Sequence, residues 1–238
     1  MGKPKQAGGD RMRGFAAGLL LVLALQPLSA SVGPSPDELA IANAIELLKV
    51  KKPAEALDAL GPTLASLETQ VAAASEKGVA FCATDMTEAI LYAGMAASAK
   101  KDGTVLSGAV CEAMYYKAFA LVELGKKDEA ISTLERLTSL APMHAQYFVE
   151  LGFAYRASGL LDKAEAAYQQ AKSASEMAGD KGAGKLSRAA ALRGIGYILI
   201  EKGDLKGAEK AYRDSLKDDP DSQVAKSELD FIKSKQPK

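Results

Sequence analysis

Apolar residues recur in blocks along the second half of this chain. Ile131, Leu134, Leu137 and Leu140 fall three apart, the spacing of one face of an α-helix. The block Met114, Lys117, Ala118, Leu121, Gly125, Ala130, Leu134, Leu137 is matched 34 residues later by Phe148, Leu151, Gly152, Tyr155, Gly159, Ala164, Tyr168, Ala171. A third copy, Leu192, Ile195, Gly196, Leu199, Gly203, Ala208, Tyr212, Ser215, follows the second by 44, so ten extra residues lie near Gly179 to Arg188, where a flexible loop is expected. Each block predicts two helices packed face to face. Gly125, Gly159 and Gly203 mark the bends, because glycine adopts the left-handed conformation used where a helix stops and reverses. Pro142 and Pro220 close the second helices of their units. No segment from 111 to 220 alternates with the period of a strand.

Small residues mark where the paired backbones approach most closely: Ala118, Gly152 and Gly196 in the first helix, Ala130, Ala164 and Ala208 in the second. Together with the glycines, Tyr155, Tyr168, Tyr212 and the prolines, they make a pattern that closely resembles the tetratricopeptide repeat. The resemblance implies an all-α fold, a right-handed α-solenoid of helix hairpins with a C-terminal capping helix. It sets three repeats at 111–144, 145–178 and 189–222, within a region spanning 111–222.

The same resemblance implies that the first helix of each repeat lines a concave face that touches peptides. The corresponding places here are Glu112, Tyr115, Phe119, Val122 and Glu123; Gln146, Val149, Phe153, Arg156 and Ala157; and Ala190, Arg193, Tyr197, Ile200 and Glu201. Phe119, Phe153 and Tyr197 occupy one place in all three units. With Arg156 and Arg193 beside them they form a ladder of the residue types that anchor interfaces. Two roles are open to the ladder: gripping a partner segment, or filling a narrow groove and packing on the N-terminal helices. The Lys and Asn residues with which chaperone adaptors of this family clamp a C-terminal carboxylate are absent, so that activity is not implied.

The flanking segments are less regular. Residues 37–67 read as a degenerate helix pair of the same type, with Asp37 capping the first helix, Pro53 starting the second, and no glycine at the bend. Residues 68–110 read as one divergent helical segment: Thr84 or Asp85 caps a helix through Ala99, Lys100 to Gly103 make a turn, and the next helix starts at about Thr104 or Ser107. Residues 223–238 form a capping helix and tail, with Val224, Leu229 and Ile232 on one side and lysines on the other.

The first 30 residues stand apart. Lys3, Lys5, Arg11 and Arg13 precede an apolar run from Phe15 to Leu25 and the small residues Ser29, Ala30 and Ser31, the parts of a secretory signal peptide. The run is shorter than the ~20 residues a bilayer requires. No Cys follows it and Met12 separates the two arginines, so neither a lipid anchor nor the twin-arginine route is indicated. The expected location is periplasmic; the bacterial element comes from the resemblance. The chain has 30 basic and 30 acidic residues. Removing the segment takes four of the basic and one of the acidic ones, leaving a net charge of −3. Neither balance points to nucleic acid. The expected partner is a protein or peptide, with membrane contact only through the signal segment if it is uncleaved.

Candidate chemistry is sparse. Gly179-Asp180-Lys181-Gly182-Ala183-Gly184-Lys185 approaches a phosphate-binding loop, but Leu186 stands where a magnesium-binding Ser or Thr belongs, and helix surrounds it. His144 is the one histidine, with no second imidazole or cysteine nearby for a metal. The sequence offers no nucleophile–base set, so no enzyme activity and no cofactor is expected. Cys82 and Cys111 are the two cysteines. An oxidising compartment favours a disulfide between them. A continuous helix between them would hold them apart, so the pairing stays open unless the Gly78–Thr84 stretch folds back. The expected function is that of an exported scaffold or adaptor holding a partner in its groove; the alternative is a structural subunit that self-assembles through its ends or convex face.

Overall fold

The computed structural model describes residues 33–178 and 182–235; the signal peptide expected at residues 1–30 lies outside the described residues. The described chain forms ten helices and two strands in the order α1 (Pro36–Lys49), α2 (Pro53–Lys77), β1 (Val79–Cys82), α3 (Met86–Ser98), β2 (Gly103–Leu106), α4 (Gly108–Glu123), α5 (Lys127–Leu140), α6 (Ala145–Ala157), α7 (Leu161–Ala178), α8 (Gly182–Glu201), α9 (Leu205–Asp218) and α10 (Gln223–Lys235). Helices α4–α5, α6–α7 and α8–α9 are the three predicted hairpins, and within each pair the two helices pack together. The bends carry Gly125, Gly159 and Gly203 at φ of 71°, 75° and 80°, in the left-handed region. Pro142 and Pro220 lie in the turns just beyond α5 and α9.

Side-chain size is matched across each hairpin. A Cβ on Gly152 would meet the Tyr168 ring at 2.6 Å, and one on Gly196 would meet the Tyr212 ring at 2.7 Å. The first unit has a smaller Leu134 at the place of those tyrosines and an alanine, Ala118, at the place of those glycines. Ala130, Ala164 and Ala208 are all fully buried.

The described part of the ten extra residues, where a loop is expected, is helical. It lengthens α7 to Ala178 and starts α8 at Gly182, leaving 179–181 as the only part outside the described residues. Gly182 to Lys185 are the first turn of α8, and among the described residues the element before them is a helix, not a strand. The long α8 is tied to the end of α9 by a two-pronged ion pair. Arg188 Nε and Nη2 donate to Asp218 Oδ2 and Oδ1, each at 2.7 Å. The hydrogen bonds from Arg188 hold the Asp218 carboxyl below its ordinary value of 3.8. A depressed folded-state value contributes stability at higher pH that is lost as pH falls through it. Asp218→Asn is therefore expected to lower the urea midpoint at pH 7. The gap from the unsubstituted chain should close as the pH drops below 3.8; a gap constant from pH 7 to pH 2 would contradict this assignment.

The structure departs from the sequence reading in three places in the N-terminal half and in one at the C-terminal helix. The cap of α1 is Ser35, not Asp37: its Oγ accepts from Glu38 N at 3.2 Å while Glu38 Oε2 accepts from Ser35 N at 2.6 Å, with Pro36 in the first turn. Helix α2 runs to Lys77, ten residues past Leu67, and passes through Pro62. The divergent segment is not a helix pair but a strand–helix–strand unit. Val79-Ala80-Phe81-Cys82, short, apolar and flanked by Gly78, pairs in parallel with Gly103-Thr104-Val105-Leu106, and α3 is the crossover. In α10 the buried positions are Ala225 and Ile232, while Val224 is exposed.

Asp85 caps α3, its Oδ1 accepting from Glu88 N at 2.9 Å. Tyr92 of α3, fully buried, stacks on Phe81 of β1 with ring centroids 5.1 Å apart. The parallel return also answers the cysteine question. Because β2 runs beside β1, Cys82 pairs across from Leu106, and the chain needs only a few residues more to bring Cys111 to it. Cys82 and Cys111 form a disulfide with Cα atoms 5.8 Å apart, both fully buried.

Candidate functional site

The first helices of the repeats, α4, α6 and α8, carry the predicted contact positions. Helices α6 and α8 pack directly on one another, whereas α7 and α9 make no comparable contact among the described residues. Helices that converge lie on the inside of a curve, so α6 and α8 line its inner face.

Phe153 on α6 and Phe119 on α4 each remain 41 % exposed. Tyr197 is half-buried. No ring contact joins these three among the described residues. Arg156 is the link between two of them: its guanidinium carbon lies 5.3 Å from the Phe153 ring centre and 4.5 Å from that of Tyr197. Its Nε is buried with no hydrogen-bond partner, and no carboxylate pairs with Arg156 among the described residues. Phe153, Arg156 and Tyr197 thus form a single cluster spanning α6 and α8.

Other predicted positions are occupied differently. Arg193 donates to Asp219 at 2.8 Å, which binds α8 to the chain beyond α9 rather than leaving a free cation. Glu123 pairs with Lys51 at 3.3 Å, joining α4 to the α1–α2 turn. Val149 is half-buried. Tyr115 is half-buried too, edge-on to Tyr116 at 5.2 Å and tilted against Tyr147 at 5.6 Å. Burial, helped by the nearby Glu150 carboxylate, pushes its hydroxyl up to about 12, so it stays neutral.

Two polar clusters were not foreseen. Gln146 donates to Glu150 at 2.6 Å and accepts from Ser187 Oγ at 3.3 Å. Burial raises the Glu150 carboxyl, against the hydrogen bonds from Gln146 and Tyr115. The second cluster centres on His144, whose Nδ1 lies 2.6 Å from Glu88 Oε1 while its ring stacks on Tyr147 at 3.8 Å. Glu88 also accepts from the Thr84 backbone and hydroxyl at 2.8 Å. Burial alone would raise the Glu88 carboxyl; these hydrogen bonds outweigh it and the net shift is downward. Sequence spacing gave no sign of this pair, because its members lie 56 residues apart and meet only through the strand–helix–strand unit. The pair holds α3 against the α5–α6 corner and has no Ser, Cys or Lys joined to it in the manner of an activated nucleophile.

Among the described residues no group of His, Cys, Asp and Glu is arranged to hold a metal ion, and no helix is long and apolar enough to cross a membrane. The arrangement offers recognition: exposed rings beside a cation, with uncharged and neutral-held polar groups along the same helices.

No curated protein sequence matches the chain. Among solved structures, a double mutant of MamA RS-1 aligns with 16 % identity over 85 % of this chain and 86 % of its own, with a TM-score of 0.53. A type III secretion system complex from Aeromonas hydrophila aligns with 22 % identity over 63 % of this chain and 95 % of that one, TM-score 0.48. The Sgt2 TPR domain from Aspergillus fumigatus aligns with 23 % identity over 52 % and 78 %, TM-score 0.46. At such identities the likeness concerns the fold alone. The sequence model of the tetratricopeptide repeat matches residues 117–178 and 180–223. That match takes in α6 and α8, which carry Phe153, Arg156 and Tyr197, and begins near the end of α4, just before Phe119.

Proposed function

We propose that this chain is an exported scaffold or adaptor that holds a segment of a partner protein against the inner face formed by α4, α6 and α8. The observation that carries the reading is the exposed Phe153 ring beside a guanidinium with no carboxylate of its own, with a second exposed ring, Phe119, at the matching place on α4. Burying such a ring against a partner is favourable by roughly 1.5–3 kcal/mol when it starts fully exposed. The Arg156 cation, already half desolvated between two rings, adds an attraction for an acidic group on the same segment. Arg193 and Glu123, held in ion pairs, keep the ends of the array in place. Export rests on the signal-like first 30 residues, with cleavage near Ala30 or Ser31, and on the buried Cys82–Cys111 disulfide, a bond that persists in oxidising compartments such as the periplasm.

Phe119→Ala combined with Phe153→Ala is expected to abolish co-purification of the partner from the native host while leaving the helical circular dichroism unchanged. Undiminished co-purification by the double variant would discard the groove reading.

A further inference from the structure

The outward face of α3 is the second surface that the core does not explain. Glu88 is the only charged side chain in this helix, and it is turned inward to His144. Tyr92 and Ala96 face the strands. What remains outside carries no charge: Met86, Ile90 and Leu91, which are 74 %, 66 % and 41 % exposed, followed by Ala93, Gly94, Ala97 and Ser98, all exposed. A Cβ built on Gly94 would meet nothing within 4 Å, so the helix backbone is open to close approach there.

This face is graded from one end to the other in both size and charge. Its bulky residues occupy the N-terminal half and its small ones the C-terminal half. Exposed Asp85 stands at its start, and exposed Lys100 and Lys101 just past its end. A surface graded this way is complementary to itself when inverted. We propose that α3 packs antiparallel on α3 of a second copy of this chain, about a twofold axis near the middle of the helix. Met86 and Ile90 of each copy then lie over Gly94 and Ala97 of the other, large against small, so the helices approach closely. Asp85 of each lies beside Lys100 and Lys101 of the other, and the helix dipoles oppose. Parallel packing would instead set Asp85 against Asp85 and bulk against bulk. The contact is isologous and closes at two copies.

The helix is held firmly enough to serve as such a platform. Tyr92 stacks on Phe81, its hydroxyl accepts from Met143 N at 3.4 Å, and the strand beneath is tied to α4 by the disulfide. The face lies outside the three repeats, so the inference stands independently of the groove reading.

Sedimentation velocity of the full chain over a dilution series is the test. A dimer is expected, with carbodiimide crosslinks joining Asp85 of one copy to Lys100 or Lys101 of the other. Ile90→Glu, at an exposed position, should weaken association at least about tenfold, because it sets an unpaired carboxylate in an apolar contact. Lys100→Glu with Lys101→Glu should weaken it too, by facing like charges across the axis. Phe119→Ala with Phe153→Ala should leave the dimer intact. A chain that sediments as a monomer throughout, or a dimer indifferent to both sets of α3 substitutions, overturns the proposal.

Discussion

Replacing Cys82 and Cys111 together by alanine is expected to cost about 3–4 kcal/mol of unfolding free energy. The bond links residues separated by 29 in sequence. A closed loop of that length restricts the unfolded chain by about that amount, somewhat more than a 15-residue loop and less than a 100-residue one. The native side adds to it. Both cysteines are fully buried, and the loop they close starts at the last residue of β1 and contains α3 and β2, including Tyr92, which stacks on Phe81 just before it. Without the bond the two short strands, marginal as a pair alone, depend on the packing of Ala80, Phe81 and Tyr92 in the core and on the Glu88–His144 pair. The check is a urea titration of the double variant beside the unsubstituted chain, with and without reductant. The midpoint should fall in the variant and in the reduced chain alike, and amide exchange of Val79 to Leu106 should quicken more than that of α6 to α9. An unchanged midpoint would mean that the bond is incidental to the fold.

The second large effect is expected at Gly152. Tyr168 is 3 % exposed, and its ring is gripped from two sides. A Cβ at Gly152 would lie 2.6 Å from one edge, and a Cβ at Gly194 would lie 2.5 Å from the other. The ring cannot retreat from one glycine without meeting the next, so even Gly152→Ala must spread α6 from α7. Overpacking of this kind costs about 1–3 kcal/mol. Tyr168→Leu alone removes ring volume from a filled site and should also destabilise. The two together rebuild at the second repeat the alanine–leucine pairing that Ala118 and Leu134 present in the first. The double variant is therefore expected to be more stable than the sum of the two single losses allows, by a coupling of about 0.5–3 kcal/mol. Simple additivity in thermal unfolding would show that ring and glycine do not set each other's size.

How much of this was legible beforehand differs between the two halves for physical reasons. From Met114 to Pro220 the repeated spacing determines each helix, because every position has counterparts under the same steric demand: the bend requires a left-handed residue, and the close approach a small one. Over 182–188 the glycines suggest a loop, whereas Gly182 and Gly184 sit in a first helical turn braced by the Arg188–Asp218 pair. Before residue 108 no repetition supplies that check. Val79 to Cys82 is too short for periodicity to separate strand from buried helix, and its partner Gly103 to Leu106 lies beyond an alanine-rich helix. With the strands unseen, the cysteines were placed at opposite ends of a helix instead of side by side. The groove was legible as positions but not as states: sequence spacing aligned Phe119, Phe153, Arg193 and Tyr197. Only the fold shows that Arg193 is spent on Asp219 while Arg156 lies between two rings.

The central claim is that the chain works by presenting the inner face of its first helices to a partner. A photo-activated crosslinking residue placed at Phe153 in the native host, with the same residue placed at exposed Gln170 on α7 as the outer-face control, tests it most directly. The account predicts that light attaches one partner segment at position 153 and little or nothing at 170, with the attached peptide identified by mass spectrometry. Attachment of the same partner at 170 with none at 153 would contradict it.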